Sequence, residues 1–468
     1  MNLKVEDILK VTKGDLIIGD LKNECTSFSR DTRTIKKNDT YIAIRGENFD
    51  GNLFWRNAFE KGADVVIMDK VNLAEEDLVK YKKNRKTIIQ VEDTILALGQ
   101  MATLKRSLYG DKLKVIGITG SVGKTSTKDI IANVLSKKYK VLKTEGNNNN
   151  NIGLPLTILR IKDEQIAVIE MGMNHLGEIS YLAKIAQPDL AIITNIGTSH
   201  IGNLGSRENI LKAKLEILEG MKNKEIIVNN DNDLLNKWSI ENKQKIKIHT
   251  FGIKNKSDVE AEDIKIYENL SEFICKKNKE KFHVKIPEIG EHFILNAICA
   301  ITVGDLLNME NIQMQEGLKD FKITDKRMEI IKLKNNITLI NDSYNASYES
   351  VKAALLSLKN MKAKRKIAVF GDMFELGEFA EKLHRKVGEE IIKNKIDKLY
   401  LIGKNTIYIL DELKKQGYNE NNINYFENKK ELEKKLEQDL QSGDIVLFKA
   451  SNGMKLFEVV ENVKKYLK

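Results

Sequence analysis

Cysteine, proline and tryptophan are scarce in this chain: three Cys, three Pro and two Trp among 468 residues. Cys25, Cys275 and Cys299 lie far apart, with neither the paired spacing of a zinc site nor the density of a disulfide scaffold. They predict a reducing, cytoplasmic setting. The shortage of proline beside abundant Lys, Asn and Ile reads as a compositional bias, and the five asparagines at 147–151 must be weighed against it. No apolar run approaches the length of a membrane span, and the opening MNLKVEDILKVTKGD lacks the apolar core of a secretory signal. Aromatic residues make up only 6%, and the lysines behind a net charge of +10 are spread along the chain among glutamates. That pattern argues against a nucleic-acid footprint. It leaves a solvated surface with some pull on anionic small molecules. No G-x-G-x-x-G turn supports NAD binding, and no internal repeat is visible.

What is there is apolar material for packed cores, 41% of the residues, in a chain long enough for about three domains by the usual size prior. The most informative stretch is 117–127, GITGSVGKTST. Lys114 to Ile118 reads as a short buried strand, and Ile130, Ile131, Val134 and Leu135 recur at helical spacing, so a helix is expected to begin near Thr125. A strand, a Gly-rich turn and a helix N-terminus make an anion site, where backbone N–H groups converge and the helix dipole favours negative charge. Gly120, Ser121, Val122, Gly123, Lys124, Thr125 and Ser126 form this nucleotide cradle. Lys124 supplies a charge for the β/γ-phosphates and Thr125 a hydroxyl for Mg²⁺. Isoleucine at 118 stands where the general P-loop pattern has its first glycine.

Residues 1–110 alternate short strands at 40–44, 65–68 and 87–91 with polar helices, a small α/β module. Its loops carry Asp31, Thr32 and Arg33, residues suited either to a phosphate or sugar or simply to turn chemistry. A central domain at 111–324 contains the phosphate loop and apolar strands at 166–169, followed by Glu170, and at 190–193, followed by Thr194 and Asn195. In open parallel sheets ligands bind beyond the carboxyl ends of the strands. Three strand ends therefore bring the phosphate loop, the hard-oxygen donor Glu170 and the loop carrying His200 to one rim. In the following helix Ile210, Leu211, Ile217, Leu218 and Met221 form an apolar stripe with Lys214 in its middle. Such a lysine must snorkel, pair with a carboxylate such as Glu170, or lose its proton. A neutral amine can add CO₂ to become a carbamate, a carboxylate-like metal ligand. Further on, Asn296 falls one turn after His292 in a helix at about 291–308, open either to a nucleotide base or to solvent.

Residues 325–468 alternate strands at 337–340, 367–370, 399–402 and 445–448 with helices, the pattern of a doubly wound Rossmann-like module. The fold expected for the whole is therefore α/β in three domains.

These segments resemble the Mur ligases, the ATP-dependent peptide ligases of peptidoglycan precursor synthesis. The likeness covers nearly the whole chain: TGSVGKT at 119–125, TEGNNNNNIGLP at 144–155, EMGMNHLGEI at 170–179, TNIGTSH at 194–200, AKLEI at 213–217, GEHFILNA at 290–297, NDSYNAS at 341–347 and GDMFELG at 371–377. The family's loop is TGxxGKT, which accounts for Ile118.

The resemblance implies ATP and two Mg²⁺ ions as cofactors. It implies Lys124 and Thr125 on the ATP phosphates and first metal, with Glu170 on that metal. His200 and a carbamylated Lys214 hold the second metal, and Lys124, His200 and Lys214 count as catalytic. Asn296 meets adenine, Arg327 the phosphates, and Asp342 and Tyr344 the ribose and base. Thr32 and Arg33 are assigned to the nucleotide-sugar donor, and Asn149 and Asn150 also count as substrate-binding. Within the family the likeness points to the member that joins D-alanyl-D-alanine to UDP-N-acetylmuramoyl-tripeptide through an acyl phosphate. Under this reading 1–110 binds the UDP-sugar, 111–324 binds ATP and 325–468 is the ligase domain of a cytoplasmic monomer. The ligase adding the third peptide residue and a P-loop ATPase without ligase activity remain the alternatives. Two departures stand out: Asn345-Ala-Ser347 lacks the family's usual following proline, and Ala450-Ser-Asn452 replaces its late Gly-Ser-Arg.

Overall fold

The computed structural model describes residues 1–47, 49–322 and 326–467. The boundary expected at 324/325 lies outside the described residues.

Three sheets organise the chain. The first has five strands in the order Asp15–Ile18, Thr87–Gln90, Val65–Met68, Thr40–Ile42 and Phe28–Ser29. The second has nine, running from Val141–Lys143 through Ile166–Glu170, Lys114–Thr119, Leu190–Ile193, Glu225–Asn229 and Lys247–Gly252 to Val259–Ile266, Ser271–Lys277 and Glu280–Ile286. Its ladders are parallel as far as Val259–Ile266, and the last two are antiparallel. The Ile166–Glu170 and Leu190–Ile193 strands are buried at every residue, because a parallel sheet is covered on both faces and selects continuous apolar runs. The Glu291–Leu306 helix is buried nearly all round, and it packs against the phosphate-loop helix Lys124–Leu135.

The third sheet has six strands in the order Glu329–Lys332, Thr338–Asn341, Asp444–Lys449, Arg365–Gly371, Lys398–Ile402 and Ile423–Phe426, parallel except for the first pair. Ser347 caps the helix that follows, Tyr348–Asn360, by accepting from the Ser350 N–H, so a serine suits the position where the family usually continues toward proline.

The first domain is clamped to the central sheet. Its helix Thr94–Ser107 packs on Gly153–Leu159 and Glu178–Ala186, and a Cβ at Gly99 would fall 2.4 Å from the Tyr181 hydroxyl. The buried Arg106 donates to Asp189 at 3.0 Å and to the Ala186 carbonyl at 3.2 Å.

One expectation needs correcting. The apolar stripe around Lys214 does not lie on one continuous helix. Gly205 (φ +76°) ends a short turn, Ser206 caps a new helix Arg207–Leu215, and a 3₁₀ segment Glu216–Gly220 follows. Tertiary docking explains the change. A Cβ on Gly220 would lie 2.1 Å from the Ala183 carbonyl oxygen, and the Glu216 carboxylate accepts from the Gly177 and Ser180 N–H groups at the start of the neighbouring helix. Ile210, Ile217, Leu218 and Met221 are still buried and Lys212 is exposed, so the stripe faces inward.

Candidate active site

The strand Lys114–Thr119 delivers the chain into a turn that only glycine can make. Gly120 has φ +151°, and a Cβ there would lie 2.0 Å from the Thr194 hydroxyl; Gly123 has φ +82°. Asn195, two residues past the neighbouring strand end, clasps the loop. Its side chain accepts from the Val122 N–H and donates to the Val122 carbonyl, each at 2.9 Å, while its own carbonyl accepts from the Ser121 N–H at 3.0 Å. Among the described residues no side chain caps the helix Lys124–Leu135, so its first N–H groups are left for an anion. Lys124 lies back over the loop, donating to the Gly120 carbonyl at 2.8 Å. Burial lowers its pKa; Glu170 opposes that shift and Arg327 adds to it.

Glu170 meets this helix at the end of its strand. One carboxylate oxygen accepts from the Thr125 hydroxyl at 2.9 Å and the other from the Asn149 amide at 2.8 Å, while Lys128 lies 3.8 Å away. Lys128 is almost fully buried and was missed from the sequence, although it sits one turn after Lys124 on the same face. Asn150 does something different from its neighbour: its side chain accepts from the Ile152 and Gly153 N–H groups and starts the next helix.

The C-terminal domain closes over this rim. Arg327 donates to the Thr125 hydroxyl at 3.0 Å and lies 3.9 Å over the ring of Tyr344, whose hydroxyl contacts Asn147. Asp342 is held by Lys449 at 2.5 Å and by the Met328 N–H at 3.2 Å. Asn296 accepts from Thr127 at 2.9 Å, which ties its helix to the phosphate-loop helix. His200 turns Nδ1 toward the Glu375 carboxylate at 2.6 Å. Lys214 is buried and its amine has no hydrogen bond or ion pair among the described residues, so pairing with Glu170 does not occur. Its pKa lies well below the usual lysine range, through burial and then the nearby charge of Lys124.

A cavity of about 990 Å³ joins these groups. Its walls include Asp93 and Leu96 from the first domain, Ser121 to Ser126, Asn149, Asn150, Glu170, His200 and Asn296 from the central one, and Arg327, Asp342 and Tyr344 from the last. Gly120 and Lys214 lie behind this surface. Thr32 and Arg33 are not on it either: Arg33 is exposed and paired with Asp31 at 2.6 Å. Ala450 is buried, and Ser451 accepts from the Phe374 N–H at 2.8 Å, so the segment that departs from Gly-Ser-Arg braces the 372–375 loop.

Three family models match the chain in sequence order: "Mur ligase family, catalytic domain" over residues 26–106, "Mur ligase middle domain" over 118–304, and "Mur ligase, glutamate ligase domain" over 326–452. A Bacillus subtilis protein named UDP-N-acetylmuramoyl-tripeptide–D-alanyl-D-alanine ligase is 37% identical over 98% of both chains. This chain belongs to the Mur ligase family.

The Escherichia coli ligase of the same name is 32% identical over 86% of each chain. Among solved Mur ligase structures, a MurF from Acinetobacter baumannii superposes with a TM-score of 0.88 at 28% identity, covering 99% of both chains. A Thermotoga maritima MurF solved in complex with ADP gives 0.80 at 29% identity, covering 94% of this chain and 97% of that one. The three-domain α/β architecture is therefore that of the family, and the nucleotide it binds is ATP. Among the described residues, no helix is long and apolar enough to cross a membrane.

Proposed function

We propose that this chain is an ATP-dependent, ADP-forming ligase that joins D-alanyl-D-alanine to UDP-N-acetylmuramoyl-tripeptide, giving the pentapeptide precursor of peptidoglycan. The observation that carries the reading is the single cavity in which an uncapped phosphate-loop helix, Glu170 and residues of all three domains face one another. Since one chain completes it, we take a monomer as the working unit, divided near 110 and 324 into donor, ATP and ligase domains.

The chemical problem is that a carboxylate is a poor acyl donor, because oxide is a poor leaving group. Transfer of the γ-phosphoryl group of ATP to the terminal carboxylate of the tripeptide gives an acyl phosphate and ADP. The dipeptide amine then attacks the acyl carbon, the C–O bond to phosphate breaks, and a proton leaves the new amide nitrogen. The loop N–H groups, Lys124 and Arg327 offset charge on the transferring group, and alignment of the reactants supplies much of the rate. Among the described residues Lys124 reaches only the loop carbonyls of Gly120 and Ser121, and it is available to swing onto phosphate oxygens. Arg327 and Tyr344 stack at the mouth of the nucleotide end, and Asn296 keeps its amide N–H groups for the base.

Two metal positions accord with the donor groups. Thr125 and Glu170 present hard oxygens 2.9 Å apart, with the second carboxylate oxygen fixed by Asn149, a set suited to Mg²⁺. At the second position His200 spends Nδ1 on Glu375 and leaves Nε2, and the unpaired, low-pKa amine of Lys214 is suited to carbamylation. When bound, the ions neutralise the phosphates and the acyl oxygen. Thr32 and Arg33 remain assigned to the sugar nucleotide and require it to reach across the first domain. The test is product analysis: with ATP, Mg²⁺, the tripeptide donor and D-alanyl-D-alanine, equimolar ADP and pentapeptide should form.

A further inference from the structure

We propose that Glu375 is a positioning residue for His200: it delivers, from the C-terminal domain, the contact that fixes the imidazole, so that this part of the site is assembled only when the two domains meet. The proposal rests on the ligase reading above and adds a residue to it.

The two residues belong to different sheets. His200 follows the central strand Leu190–Ile193, and Glu375 follows Arg365–Gly371 of the C-terminal domain. Their side chains meet at 2.6 Å, and the Gly202 N–H donates to the Glu375 carbonyl at 3.0 Å, so side chain and backbone both hold the same short segment. The approach is close: a Cβ on Gly202 would fall 2.5 Å from the Gly377 nitrogen. Both His200 and Glu375 adopt φ +62°, a left-handed conformation that non-glycine residues seldom take without a local reason. His200 Nδ1 is shut off from solvent and meets the Glu375 carboxylate in a close contact that is not aligned as a hydrogen bond, so the nitrogen left to serve the cavity is Nε2. No other side chain among the described residues makes a hydrogen bond or ion pair to this ring.

The loop that leads into Glu375 is held firmly. The Phe374 N–H donates to Ser451 at 2.8 Å and the Met373 N–H to His384 at 3.1 Å. Asp372 accepts from the Asn405 and Thr406 N–H groups at 2.9 and 3.0 Å. A carboxylate on so fixed a loop sets one orientation for its partner, and an imidazole whose second nitrogen is anchored presents the first in one direction. A second interdomain contact, Thr198 to Glu349 at 3.0 Å, closes the same loop without touching His200, and it provides the control.

The experiment compares E375A, E375Q and E349A in the full-length chain by steady-state kinetics and by amide hydrogen exchange over 200–205 with and without ADP. E375A should lower kcat by about 10–100-fold with little change in KM for ATP or donor, the size expected for removing an orienting partner. E375Q, whose amide oxygen keeps the same reach toward Nδ1, should recover most of the loss. Exchange at 200–205 should quicken in E375A but stay near wild type in E375Q, while E349A should affect kcat less than E375A does. Wild-type kcat in E375A, or E375Q as impaired as E375A, would overturn the proposal. If wild-type protein fails to make pentapeptide, the ligase reading fails, and the exchange comparison alone then decides whether Glu375 orders the His200 segment.

Discussion

The Thr125 hydroxyl and the Glu170 carboxylate meet across 2.9 Å, joining the first turn of the phosphate-loop helix to the end of the adjacent strand. Because Asn149 holds the other carboxylate oxygen, the pair is pre-aimed for a hard cation. Asn149→Ala should therefore raise the Mg²⁺ concentration for half-maximal activity by about 10–100-fold, the usual cost of losing such a partner. A Mg²⁺ titration checks this, and an unchanged midpoint would leave Asn149 with a donor-substrate role only.

Lys124→Ala should reduce turnover by at least about 10²–10³, since it removes one donor to charge that develops in the transition state. Its amine contacts only the loop carbonyls of Gly120 and Ser121, so the fold should persist. Circular dichroism and phosphate release on the same sample check both halves of this expectation.

Lys214 sits behind the cavity wall without an anionic partner among the described residues, its amine pushed toward neutrality. Removing bicarbonate should lower activity, and formate should partly restore Lys214→Ala. Mass analysis of the intact protein under bicarbonate should show the added CO₂. Full activity in Lys214→Ala would contradict the carbamate.

Much of this site was legible in the sequence because it lies at strand ends. Buried parallel strands are continuous apolar runs, so Glu170, and Thr194 with Asn195, announce themselves as the first polar residues at their ends. The inward lysine at 214 was visible through helical spacing, although the helix breaks at Leu215 for a tertiary reason: the docking of Gly220 on Ala183. The antiparallel strands Ser271–Lys277 and Glu280–Ile286 were hard to read because their Lys- and Glu-rich outer faces dilute the alternation. Glu375 was invisible as a partner of His200, since nothing local in sequence encodes how two domains meet.

His384 gives a pH prediction. It is fully buried, and its Nε2 accepts from the Met373 N–H, which requires the neutral ring; burial lowers its pKa from the ordinary value of 6.5. The unfolded chain therefore binds the proton more readily, so this group costs stability as pH falls below 6.5 toward the folded pKa. The urea midpoint should fall between pH 7 and pH 5, and His384→Gln should flatten that dependence. At pH 7 the variant should lose about 1–3 kcal/mol, through the unsatisfied Met373 N–H. An unchanged pH slope in the variant would assign the acid sensitivity to other groups.

The central claim is tested most directly by phosphate release from ATP across a matrix of donors and acceptors. Release should require both UDP-N-acetylmuramoyl-tripeptide and D-alanyl-D-alanine. Single amino acids should fail, because a site built for a dipeptide would be left with buried polar groups unpaired. Release with L-lysine or diaminopimelate and UDP-N-acetylmuramoyl-dipeptide, without the D-alanyl-D-alanine reaction, would put the chain at the neighbouring step. Release that needs no amine acceptor would contradict ligase function altogether.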